Sequence, residues 1–194
     1  MKNNYNSQGL YNLICHNYQI FNCLIFPLEK VKNMKNNTMQ NNNFIQMNQN
    51  NRISLYDCFY YNQKNEYFQN YCKIWNTICN WIYYSKIFSS PNILILILDN
   101  GREEFNSIKL DFNEVIDISQ FVLAKDKPQI TYSLYGVITF IENNYQNSNF
   151  VASCKNIDSK WYRFDDTMIT PINNFQNEVI DFGIPYILFY QKNN

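Results

Sequence analysis

The last third of the chain leaves little choice of fold. From Tyr132 onward, apolar runs of strand length alternate with clusters of turn residues: YSLYGVITFI, FVASCK, WYRF and IPYILFYQ, separated by ENNYQNS, NIDSK and DDT. The spacing predicts strands over 132–141, 150–155, 161–164 and 184–191. Period-two alternation puts Trp161 and Arg163 on one face of their strand and Tyr162 and Phe164 on the other. Thr170 followed by Pro171 reads as a cap and a first helical position, which predicts a short helix over 172–180.

Upstream, Ile20–Leu28 (IFNCLIFPL) reads as a buried strand ending at Pro27. Ser54, with Asp57 three residues on, has the form of a capping box opening a helix with an aromatic face at Phe59 and Tyr60. A hairpin-like region is expected around Tyr71–Tyr84. Asn92–Leu98 is an unbroken apolar run, which suits a central strand covered on both faces. Asn100-Gly101 marks a turn, because both residues accept positive φ. Phe105–Ile118 alternates in part through Ile108, Leu110 and Phe112 and reads as a second strand. The sum is an α+β chain, mostly antiparallel β, forming a single domain over 1–194.

Composition supports a packed core: hydrophobic residues are 46% of the chain, with 16 Tyr and 15 Phe against only 4 Gly. Sixteen basic residues balance sixteen acidic ones, and without a basic patch there is no case for nucleic acid. The N-terminus has no signal-peptide pattern. The longest apolar stretch falls far short of the ~20 residues a bilayer span requires. A cytoplasmic or nuclear protein with no membrane contact is therefore expected, its cysteines at 15, 23, 58, 72, 79 and 154 reduced. Residues 1–12 are expected to fray. The Asn/Gln-rich stretch 31–51 is expected to be a disordered insertion, because it offers too little apolar surface to offset its ordering entropy.

Seven blocks recur in a recognisable order: LIFPLEKV, ISLYDCF with NEYF, YSKIFSSPNILILILDNG, KLDF with DIS, SLYGVI, SNFVASCKN with SKWYRFDD, and PYILFYQK. Together, over about residues 13–192, they resemble the end of the catalytic domain of the ubiquitin-specific proteases. These are papain-like cysteine peptidases that cut ubiquitin from its conjugates. The resemblance implies a partial domain, palm and fingers with the thumb and its nucleophilic Cys box absent.

The same resemblance assigns positions. The family's strand before the tryptophan block opens Gly-His-Tyr or Gly-His-Phe, the His being the catalytic base; here those places hold Ser148, Asn149 and Phe150. Asp165 falls where the His-orienting acid lies, and Asp166 follows it. Without an imidazole at 149, Asp165 is left with nothing to orient. Asp166, and Asp165 itself, also have an ordinary reading as turn caps. Cys15 and His16 are adjacent, so on a strand they point to opposite faces and form no nucleophile–base pair.

The family's finger zinc needs two Cys-x-x-Cys pairs. Here Cys72 remains while its partner position is Trp75, so no zinc or other cofactor is expected. The loop 142–148, Gly-rich in the family, contains no Gly. These features imply a chain inactive by itself that binds ubiquitin or a ubiquitinated protein, with a protein partner covering an exposed palm face. The alternatives are the C-terminal part of a split or truncated deubiquitinase and a structural subunit of a protein assembly.

Overall fold

A computed structural model describes residues 4–5, 11–12, 23–41, 52–72, 76–83, 85–100, 108–123, 129–141 and 149–193. Strands β1 (Asn4–Tyr5) and β2 (Tyr11–Asn12) pair antiparallel in a stretch expected to fray. Strand β3 (Cys23–Pro27) ends at its proline as expected and runs directly into helix α1 (Leu28–Asn41). This corrects the reading of 31–51 as disordered: 31–41 is helical, and 42–51 lies outside the described residues. Composition missed the anchors. Leu28 and Val31 are completely buried one turn apart, and Lys35 pairs with Asp57 at 3.0 Å. A mostly polar helix is held by tertiary contacts its own composition does not announce.

Strand β4 (Arg52–Ser54) leads into helix α2 (Leu55–Asn62), whose start is the capping box read from the sequence. The Ser54 hydroxyl accepts from the Asp57 backbone N–H at 3.2 Å, and the Asp57 carboxylate accepts from the Ser54 N–H at 2.8 Å. Strands β5 (Glu66–Cys72) and β6 (Thr77–Tyr83) form the hairpin, which starts earlier than the sequence suggested.

Strand β7 (Ile93–Asp99) buries Leu94, Leu96 and Leu98 but leaves Ile93 39% exposed. It lies next to the edge strand β3, and the described residues bury only one of its faces closely, so the expectation of a central, doubly covered strand is corrected. The predicted strand over 105–118 is two strands, β8 (Lys109–Asp111) and β9 (Val115–Asp117), which join different partners; 105–107 lies outside the described residues. Its alternation was real, since Ile108, Leu110 and Phe112 are all buried.

The remaining strands are β10 (Thr131–Ile141), β11 (Asn149–Lys155), β12 (Trp161–Asp165), β13 (Met168–Ile172) and β14 (Ile184–Lys192). Thr170 and Pro171 sit in β13, and only Gln176–Ile180 is helical, as one π turn. That corrects the helix expected over 172–180. Strand β13 ends the sheet, where a proline is tolerated because its missing N–H leaves no ladder bond broken.

The main sheet runs β13-β12-β11-β10-β14-β7-β3, antiparallel except for the β3–β7 pair. The long β10 shares one edge between β11 at Gly136–Ile141 and β9 at Thr131–Ser133, and gives the other edge to β14. Strands β4 and β8 pair in parallel on their own. The inner face of the sheet, through Leu96, Leu134, Leu188 and Tyr190, packs on α1, α2 and a short 3-10 turn at Ser119–Phe121. Phe59 stacks on Phe121 with centroids 5.0 Å apart and meets Phe26 edge-on at 5.3 Å. The architecture is α+β and sheet-dominated, as expected.

Candidate functional site

The β11–β12 hairpin brings the two ends of the site together. Its register pairs Ala152 with Phe164 and Lys155 with Trp161. Continued toward the open end of the hairpin, that pairing sets Asp165 diagonally across from the first residue of β11, Asn149, on the same face. The Asn149 side-chain amide donates to Asp165 Oδ1 at 2.9 Å. The expectation that Asp165 has nothing to orient is thus corrected: it holds the Asn149 carboxamide. Both side chains are half-buried, at the rim of the sheet.

Asp166 does something different. It has φ of 47° in the two-residue connection between Asp165 and its β13 partner Met168. Asp tolerates this left-handed backbone better than most residues, so the local geometry fits a turn residue.

The hairpin is braced from its inner face. Trp161 is buried, donates its indole N–H to Glu114 at 3.3 Å and packs on Phe175. Lys155 pairs with the same Glu114 oxygen at 3.2 Å. The Arg163 guanidinium lies 3.4 Å over the Phe182 ring and donates to the Glu178 carbonyl.

Ile141, directly opposite Asn149 across β10 and β11, also lines a cavity of about 380 Å³. Phe140, Phe182 and Pro185 give it apolar walls, while Arg52, Lys109 and Asp181 add charge to its lining. Arg52 is held by Asp111 through its Nε at 2.9 Å and approaches Asp181 at 3.9 Å. Sequence reasoning missed this cavity. Its charged residues come from segments far apart in the chain, and no local pattern links them.

A thiol nucleophile needs a thiolate and a base. Cys58 is fully buried, and its thiol is pushed up to about 12, first by burial and then by neighbouring Asp57. Burial also raises Cys154. Such thiols are inert. Cys15 and His16 lie outside the described residues, as does the loop 142–148.

For zinc, Cys72 ends β5 and Trp75 lies outside the described residues. An indole offers no metal-ligating atom, and structural zinc takes four ligands. Among the described residues no three His, Cys, Asp or Glu side chains converge. Among the described residues, too, no helix is long and apolar enough to cross a membrane.

The sequence matches the family model for ubiquitin carboxyl-terminal hydrolase over residues 6–190. The chain belongs to the ubiquitin carboxyl-terminal hydrolase family. Ubiquitin carboxyl-terminal hydrolase 8 of Saccharomyces cerevisiae is 25% identical over 154 residues, 70% of this chain but 32% of that protein. Ubiquitin carboxyl-terminal hydrolase 15 of Arabidopsis thaliana is 29% identical over 111 residues, 55% of this chain and 12% of its own length. The chain therefore spans a third or less of these two relatives.

Among solved structures, the SAGA Ubp8/Sgf11/Sus1/Sgf73 DUB module bound to ubiquitin aldehyde superposes with a TM-score of 0.59 at 24% identity. The match covers 74% of this chain and 35% of the matched one. A variant of that module bound to monoubiquitin gives 0.57 at 23%, with the same coverage. These likenesses establish the fold: the sheet and helices described above are part of a ubiquitin-specific protease domain.

Proposed function

We propose that this ubiquitin carboxyl-terminal hydrolase domain binds ubiquitin or a ubiquitinated protein and does not cleave it by itself. One observation carries the reading: the half-buried pair at the sheet rim is Asn149 on Asp165, 2.9 Å apart. The arrangement has the form of a base held by its orienting acid, with a carboxamide where the resemblance places the imidazole. A carboxamide donates and accepts hydrogen bonds but takes up no proton near neutral pH, so it generates no thiolate. Removing the base from a nucleophile–base–acid set lowers the rate by several orders of magnitude, and the remaining members do not compensate.

Binding requires none of that chemistry. The cavity beside Ile141, with Arg52 and Asp181 in its lining, supports recognition of a protein chain. The matched neighbours are structures of a module bound to ubiquitin aldehyde and to monoubiquitin. They also contain the subunits Sgf11, Sus1 and Sgf73, which suits a domain that works against protein partners. The same Asn149 weighs against the chain being one half of a split deubiquitinase, since a thumb supplied separately would still meet no base.

Titration of isotope-labelled ubiquitin with the purified chain tests the proposal, alongside a thiol-reactive ubiquitin probe. Saturable shifts without a covalent adduct are expected. An adduct would overturn the inactive reading, and the absence of any shift would overturn the binding reading.

A further inference from the structure

Strand β8 is left unpaired along one edge. It pairs with β4 alone, and among the described residues its backbone makes no other hydrogen bond. On β4 the Arg52 carbonyl accepts from Lys35 Nζ at 3.3 Å; among the described residues β8 has no such cover. The cavity beside Ile141 lies against this strand, since Ile108, Lys109 and Leu110 all line it. Ile108 and Leu110 are buried while Lys109 is exposed. Successive residues of a strand point to opposite faces, so three in a row reach one cavity along the strand's edge. Unpaired N–H and C=O groups on such an edge are a template for another extended chain.

We infer that the free edge of β8 takes up an extended, uncharged segment of the bound protein as an added strand. The inference rests on the reading that this cavity recognises a protein chain. It names what is read, which is the partner's backbone rather than its charge.

The surroundings of the edge select the occupant. A cavity of about 380 Å³ is of ligand-site size, with room for one extended segment and none for a folded surface. Because the edge borders a concavity, two copies of the chain do not bring their β8 strands together. The charges around it cancel: Arg52 is bonded to Asp111, Lys109 lies opposite Arg52 across the β4–β8 pair, and Asp181 is 3.9 Å from Arg52. A charged segment therefore finds no complementary field there. Phe140, Phe182 and Pro185 offer apolar walls to the alternate side chains of an added strand, while main-chain hydrogen bonds supply the attachment.

NMR titration of the isotope-labelled chain with a blocked peptide, acetyl-Ser-Val-Thr-Val-Ser-amide, tests the inference. Saturable shifts are expected at residues 108–111 and 182–185, with slowed amide exchange in β8. The same peptide methylated at every backbone nitrogen keeps its side chains and loses its N–H donors. It should bind at least about tenfold more weakly, since two or more backbone hydrogen bonds are lost. Equal binding of the methylated peptide, shifts away from β8, or no shift with the unmethylated one would overturn the edge pairing.

Tighter binding when Glu or Arg replaces the central threonine of the peptide would also overturn the inference, because charge would then be what the cavity reads. Amide exchange in β8 with and without ubiquitin keeps this inference apart from the proposed function. Slowed exchange on adding ubiquitin is expected. Ubiquitin binding that leaves β8 exchange unchanged would overturn the edge pairing and leave the binding proposal standing. Peptide binding at β8 without any ubiquitin binding would support the edge pairing and overturn the ubiquitin reading.

Discussion

Asn149→His tests whether Asp165 still orients what stands at position 149. The amide nitrogen of Asn149 is 2.9 Å from Asp165 Oδ1, and an imidazole N–H placed there has the same acceptor within reach. Both residues are half-buried. The ion pair should therefore be worth more than a typical exposed pair and less than a fully desolvated one, about 1 kcal/mol. One pKa unit corresponds to about 1.4 kcal/mol, so the introduced imidazole should titrate near 7.2 rather than its unperturbed value of about 6.5.

The sign of the stability change follows. A folded pKa raised above the unfolded one adds stability that is fully present below about 6.5 and is lost as pH rises through about 7.2. Denaturant unfolding of Asn149→His at mildly acidic and mildly alkaline pH should differ by about 1 kcal/mol more than the same comparison in Asn149→His with Asp165→Asn. NMR titration of the imidazole, with His16 as an internal reference, reads the pKa directly. A value at or below 6.5, or no difference between the two variants, would refute the geometric argument. The same variant should not cleave a ubiquitin reporter, because an imidazole base forms no covalent intermediate without a thiolate placed beside it; measurable turnover would refute the inactive reading.

Other consequences are local. Ser54→Ala removes the hydroxyl that accepts the Asp57 N–H and should lower stability by about 1 kcal/mol by denaturant titration. At Gly183 an added Cβ would lie 2.7 Å from Thr139 Cγ2 and 2.8 Å from the Phe140 carbonyl oxygen. Because one of those atoms is backbone, Gly183→Ala should destabilise by about 1–3 kcal/mol, seen as a lowered thermal midpoint. Cys58 should resist alkylation in the native state and react only on unfolding, since burial holds its thiol near 12; labelling at native rates comparable to Cys23 would show the pocket to be open.

Much of the fold was legible because the determining interactions are short-range. Tyr132–Ile141, Trp161–Phe164 and Ile184–Gln191 are strands long enough to show their period. The Ser54–Asp57 box spans one helical turn, so both of its partners lie within one local pattern. What was not legible depended on partners distant in sequence. Leu28 and Val31 look too sparse to order α1 until α2 and the sheet are there to bury them. Thr170-Pro171 has a helix-start pattern, yet β12 offers it an edge to pair with. The run 105–118 splits because β4 and β10 each take part of it.

By itself, then, the sequence determined the strand-rich character of the chain and its family, since each is written in residue type and local spacing. Only the tertiary structure decided that Asn149 and Asp165 bond and that Arg52, Asp111 and Asp181 meet beside a cavity. Those outcomes depend on register and strand order, and both are set by long-range packing that no local pattern encodes.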